Sequence, residues 1–220
     1  MLYLYAFVPR IARVPDILGI GGVSLHVEPL GAVAAVVADV DGAIDATDEN
    51  VLAHARVIDS LESEFHAVLP VRFGRGFRDR EDLESAASGL GDDLESRLEE
   101  VSGCVEIGLH VAASLEPLSQ PAGSGRDYMQ QRLRDLGRAE ALAADIHAPL
   151  AERARAATRS RSVGTTALLR AAYLVRRDDV DSFRTAVDEA QQRYGELSFA
   201  CTGPWPPYSF AVLEREGAIA

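Results

Sequence analysis

His26, His54, His66, His110 and His147 are the five histidines of the chain. None stands two, three or four residues from another, and Cys104 and Cys201 have no metal-ligand spacing, so the sequence predicts no metal centre. Glu106 and His110 share one face of a strand and form the nearest thing to an acid–base pair. Four residues of strand hold them about 13 Å apart, too far for a direct hydrogen bond, and a solvated outer face is the simpler reading. Gly19-Ile20-Gly21-Gly22 misplaces the third glycine of a dinucleotide fingerprint and runs into a strand rather than a helix. No lysine-bearing phosphate loop, nucleophile elbow or cysteine–histidine motif is present. No cofactor is expected.

Two stretches carry recognition chemistry instead. The first is Val71-Arg72-Phe73-Gly74-Arg75-Gly76-Phe77-Arg78-Asp79-Arg80. Arginine interleaved with aromatics can bind RNA or phosphate, but this run is short and lies in an acidic setting. Arg72 and Arg75 are expected to pair with nearby carboxylates while the glycines make a turn between strand and helix. The second stretch is Gly203-Pro204-Trp205-Pro206-Pro207-Tyr208, followed by Ser209 and Phe210; it holds the single tryptophan. Each proline fixes φ and lacks a donor, so the segment neither continues a helix nor sits inside a central strand. Trp205, Tyr208 and Phe210 are thereby held in a nearly fixed relation. Such a run serves as a rigid corner against the core, or as a preorganised contact for another protein, since rigid aromatic anchors make binding hot spots. Gly203 to Tyr208, with Arg72 and Phe73, are the candidate partner-binding residues.

A length of 220 residues fits one large domain or two small ones. With 47% hydrophobic residues the chain can bury a core, and its net charge of −12 argues against a nucleic-acid surface. Residues 1–102 hold 19 acids and 8 arginines, a balance of −11, whereas residues 103–220 balance at −1. This asymmetry suggests two domains, divided after residue 102. All 22 basic residues are arginine. No apolar run reaches the ~18 residues of a membrane helix, and Met1 to Tyr5 lacks the basic region of a signal peptide. Localisation in a reducing cytoplasm is expected, with both cysteines as small core residues.

The elements that must position these residues can be read from periodicity. Leu2 to Val8 is apolar on both faces, as in a strand buried on both sides. Val23 to Glu28 and Ala32 to Val40 read as a hairpin turning at Pro29 and Gly31. Thr47 or Asp48 caps a helix to about Phe65, with Val51, Ala55, Ile58, Leu61 and Phe65 on one face. Ala67 to Phe73 reads as a strand, and 79–101 as an acidic connecting helix weakened at Gly89 and Gly91. In the second half Val105 to Ala113 alternates cleanly. A helix begins near Arg126 and is expected to kink or end near Ala148, before Pro149. Thr158 to Thr166 reads as a loop, Leu168 to Val175 as a strand, 180–194 as a helix and Leu197 to Cys201 as a strand. The order β-α-β-α-β suggests a helix-covered sheet; one more strand would make it approximately ferredoxin-like. The fold class is α+β.

The chain resembles the GvpL/GvpF family of gas vesicle proteins from end to end. The resemblance rests on Leu2-Tyr3-Leu4-Tyr5, His66-Ala67-Val68-Leu69-Pro70-Val71-Arg72-Phe73-Gly74, Val105-Glu106-Ile107-Gly108, Gly125-Arg126-Asp127-Tyr128 and Ala172-Tyr173-Leu174-Val175. Its most specific part is Gly203 to Phe210. Ile107 departs from the family pattern, which often has tryptophan there. The resemblance implies a non-enzymatic accessory protein for building gas vesicles, the hollow compartments that give cells buoyancy. It implies two α+β domains, the C-terminal one (103–220) a modified ferredoxin-like fold with the Pro/aromatic-rich tail. It also implies contact with the small hydrophobic shell protein and other accessory proteins, and for some members retention as minor vesicle components. Competing readings are an enzyme using Arg72, Glu106 and His110, or a ferredoxin-like small-molecule sensor.

Overall fold

The computed structural model describes residues 1–10, 13–88, 93–113, 125–160 and 167–211. The fold is mixed α+β, with two sheets and, among the described residues, five α-helices. The chain falls into two compact units, Met1–Val105 with Trp205–Ala220, and Glu106–Pro204. The sequence reading divides the chain after residue 102 and keeps the tail with the second half. The units divide it after Val105 and group Trp205 onward with the first, whose core Tyr208 joins.

In the first unit, β1 (Leu2–Pro9) lies between β3 (Val33–Asp39) and the short β4 (Leu69–Pro70), and β2 (Leu25–Leu30) is the far edge. All these pairings are antiparallel. Leu2 to Val8 is buried throughout, as its unbroken apolar run predicts for a central strand. The β2–β3 hairpin turns at Gly31, whose φ of +67° a side chain would strain. On its other side β1 is met first by β5 (Gly76–Phe77), at Leu2 and Tyr3, and then by β4, at Ala6 and Phe7. Residues 71–75 bridge the gap between these two short strands. The bridge is tied at each end by backbone bonds, from Val71 N–H to the Tyr5 carbonyl (2.8 Å) and from Leu4 N–H to the Arg75 carbonyl (3.0 Å). The strand expected over 67–73 is therefore confined to Leu69–Pro70: Pro70 offers no donor, and after the Val71 bond to Tyr5 the chain leaves β1 until Arg75.

Helix α1 (Asp48–Glu64) starts where Thr47 Oγ1 accepts from the Asn50 N–H, with Asp48 and Glu49 complementing the dipole in its first turn. It buries His54, Val57, Ile58 and Leu61 against Tyr3, Tyr5, Val36 and Ala38. Val51, expected on the buried line, is 42% exposed. The acidic segment is two helices, α2 (Arg80–Ser88) and α3 (Asp93–Val101); Gly89 and Gly91 lie outside the described residues. Helix α3 contacts β1 and β4, with Leu94, Leu98 and Val101 buried.

The second unit runs β6 (Cys104–Ala113, which begins in the first unit), α4 (Gly125–Ala151), β7 (Ala156–Ser160), β8 (Ala167–Arg176), α5 (Val180–Arg193) and β9 (Leu197–Trp205). Its sheet has the order β7-β8-β6-β9. Ile107, Leu109 and Val111 of β6 join Tyr173 and Val175 of β8, and α4 and α5 cover them with Ala143, Ile146, Leu150, Phe183 and Val187. Burying each of the larger side chains contributes roughly 1.5–3 kcal/mol.

Four expectations need correction in this unit. Residues 156–160, part of which reads as loop, form the edge strand β7, paired antiparallel with β8 from Ala156↔Leu174 to Ser160↔Arg170. The remainder of that predicted loop, 161–166, lies outside the described residues. Helix α4 carries Pro149 and continues to Ala151, since a proline in the last turn interrupts little of the ladder. Cys104 is buried as expected, but Cys201 is exposed, on the edge strand β9. That edge position also lets β9 run through Gly203 and Pro204 to Trp205, four residues beyond the strand read from sequence.

Candidate functional site

Three of the motif segments, far apart in sequence, meet in the first unit. Tyr3 and Tyr5 come from β1, Phe73 from the bridge 71–75, and Tyr208 from the tail; all pack in or against one core cluster. At its centre is His54 of α1, 3% exposed and the one buried polar residue among those described. The Tyr5 ring stacks on the imidazole at 5.3 Å and 22°, while Tyr3 and Phe73 meet it edge-on at 5.7 and 5.9 Å.

Hydrogen bonding fixes the tautomer. His54 Nε2 lies 2.9 Å from the Val71 carbonyl, which can only accept, so Nε2 carries the proton and donates. Nδ1 is then the acceptor of a hydrogen bond donated by the Tyr3 hydroxyl at 3.0 Å. The Tyr3 oxygen in turn accepts from the Gly74 N–H at 3.0 Å. One chain of three bonds thus clips both ends of Val71–Gly74 to the core. Gly74 has φ +92°, a conformation a larger residue would strain. Burial holds His54 below its ordinary pKa of 6.5, with the Val71 carbonyl opposing in part, so the ring is neutral. Burial likewise pushes Tyr3 up to about 12, opposed by the Gly74 N–H. The Tyr5 hydroxyl is engaged elsewhere; its oxygen accepts the Ile20 N–H at 2.9 Å. Gly19 sits so close to that hydroxyl that a Cβ there would collide with it.

The candidate residues divide accordingly. Phe73 and Tyr208 are half-buried and packed against the cluster, so both serve the core as well as any surface role. Tyr208 is pushed up to about 12 by burial, with the carboxylates of Asp59 and Glu62 on α1 and the Tyr3 phenol adding to it. Pro207 is buried, and the Tyr208 N–H closes a turn onto the Pro206 carbonyl at 2.7 Å. Trp205, three residues before Tyr208, is 54% exposed. Pro204 is exposed, and the Gly203–Pro204 peptide is cis. The Gly203 carbonyl accepts from Arg184 of α5 at 2.7 Å. Arg72 is exposed beside Phe73. Farther along that run Arg78 pairs with Asp82 at 3.3 Å, and Arg80 with Glu84 at 2.7 Å and Glu28 at 3.0 Å.

Arg72 belongs to the first unit, Glu106 and His110 to the second. The latter two lie on the face of β6 opposite Ile107 and Leu109, and His110 is exposed. Among the described residues no group of three or more His, Cys, Asp or Glu side chains could hold a metal ion, and no helix is long and apolar enough to cross a membrane. Sequence reasoning passed over His54 because its partners stand 51 and 17 residues away. Its spacing with Val57, Ile58 and Leu61, at three, four and seven residues, is the signal that places it on the buried face.

Comparison with known proteins agrees along the whole chain. The family model described as "Gas vesicle synthesis protein GvpL/GvpF" matches residues 1–212. The chain is 30% identical to gas vesicle protein F of Haloferax mediterranei, covering 96% of this chain and 93% of that protein. It is 32% identical to gas vesicle protein L of a Streptomyces species, covering 94% and 85%. The crystal structure of GvpF from Anabaena sp. PCC7120 superposes with a TM-score of 0.79 at 16% identity, covering 100% of this chain and 99% of that one. GvpF from Microcystis aeruginosa gives 0.76 at 20% identity, covering 96% and 98%. These two likenesses establish the fold. With the family match spanning every element described above, the chain is a member of the GvpL/GvpF family of gas vesicle proteins.

Proposed function

We propose that this protein is a non-enzymatic accessory factor of gas vesicle formation, which holds the small hydrophobic shell protein and other accessory proteins through its proline-rich tail. A shell subunit that presents an apolar face to gas is prone to aggregate before assembly. A strongly acidic carrier keeps the complex in solution; the chain's net charge is −12. The observation that carries the reading is Trp205, the only tryptophan, 54% exposed between Pro204 and Pro206 while Tyr208 anchors the segment to the core. A large aromatic held in place by its neighbours gives up little entropy when a partner covers it. Arg72, exposed on the clipped bridge with Phe73, extends the contact surface.

In this reading the two units are two domains, and the protein works in the cytoplasm and at the vesicle. The second is a modified ferredoxin-like domain: its β-α-β-β-α-β order and β7-β8-β6-β9 sheet support that description. Deleting the gene in a vesicle-forming host that carries no related copy tests the role. Loss of vesicles, restored by the intact gene and poorly by Trp205→Ala, is the expected result; normal flotation after deletion contradicts it.

A further inference from the structure

The clip that holds the bridge 71–75 depends on one proton. We propose that His54 is a proton-controlled latch: a second proton on its ring takes away the acceptor of the Tyr3 hydroxyl, buries a charge beside it and thereby frees the bridge that carries Arg72 and Phe73. The argument starts from the bond directions. In the neutral ring Nδ1 accepts from Tyr3, and the Tyr3 oxygen accepts from Gly74. A protonated ring has N–H on both nitrogens and no acceptor. The Tyr3 hydroxyl then loses its acceptor inside the core, where an unsatisfied donor is costly.

Among the described residues, the groups that face the ring offer the added charge no carboxylate. From β1 the ring faces Tyr3 and Tyr5, and from the bridge it faces the Val71 carbonyl and Phe73. The charged side chains on the bridge are those of Arg72 and Arg75, both exposed and of the same sign. From the tail Tyr208 stands by Tyr3, and the carboxylates of α1 that reach that corner, Asp59 and Glu62, act on Tyr208. On its own helix His54 is followed two residues later by Arg56, which is exposed. An unpaired buried cation is relieved most cheaply by letting water in. The bridge is the cover that can move: among the described residues, its backbone bonds to β1 lie at its two ends, Val71 and Arg75.

The direction with pH follows from the depressed pKa. The unfolded chain, with an ordinary histidine, binds the proton first, so the clipped form has its full advantage above pH 6.5 and loses it as pH falls through the folded value. The opening itself does not depend on what the bridge binds. Its consequence for a partner, weaker capture in acid, rests on the function proposed above.

The test is a pH titration of the full chain by NMR, following the His54 imidazole and the Gly74 amide. His54 is expected to titrate below the ordinary histidine range, and Gly74 to shift and lose protection from exchange with the same midpoint. In His54→Gln, which keeps a donor toward Val71 and has no titrating ring, the Gly74 response disappears. In His66→Gln, which removes the exposed histidine upstream of the bridge, it persists. A Gly74 amide that stays fixed while His54 titrates overturns the latch. So does an unchanged Gly74 response in His54→Gln, or loss of the β1 amide pattern before His54 takes up its proton.

Discussion

His54→Ala is expected to lower the stability of the first unit by about 4 kcal/mol. Emptying the space of a ring packed by Tyr3, Tyr5 and Phe73 costs roughly 2–3 kcal/mol in lost contacts and cavity. The same change orphans the Tyr3 hydroxyl and the Val71 carbonyl, together worth roughly another 1–2 kcal/mol. His54→Gln, which can still donate to Val71, should cost about half as much. Urea unfolding followed on the amides of β1 separates the two variants. Equal and small effects would mean that the imidazole is a passive filler and that the bridge is held by its backbone ends alone.

The second prediction separates two aromatics three residues apart. Tyr208→Ala removes a half-buried ring packed on the core and should destabilise the first unit by about 2 kcal/mol. Trp205→Ala removes an exposed ring and should change stability by no more than about 0.5 kcal/mol. Capture of the shell protein is expected to move the other way, with Trp205→Ala losing it at unchanged stability. A double variant of both residues would confound the two effects. If Trp205→Ala binds shell protein like the wild type, the tail is a structural corner and the contact surface lies elsewhere.

The sequence revealed the elements whose patterns are strong. Leu2 to Val8, the hairpin around Gly31, the alternation from Val105 and the capped helix at Thr47 all form where periodicity puts them. It missed β7 because Ala156-Ala157-Thr158-Arg159-Ser160 has the polar make-up of an edge; what makes it a strand is pairing with β8, which only tertiary structure supplies. The α1 face was misjudged by a fraction of a turn. Counting from Val51 gave a plausible apolar line, yet the buried line runs through His54, which a hydrophobicity pattern ranks as polar. The rigidity of the tail was legible from its prolines. Its division into an anchored Tyr208 and an exposed Trp205 was not, because Tyr208 is held by a core made from residues near the other end of the chain.

The central claim, that this protein acts by holding an aggregation-prone subunit, is tested most directly by mixing it with purified shell protein on dilution from denaturant and measuring how much stays in the supernatant after centrifugation. The account predicts that wild-type protein keeps the shell protein soluble in a co-eluting complex, and that Trp205→Ala, equally folded, does not. Shell protein that sediments to the same extent with and without the wild-type chain would contradict it.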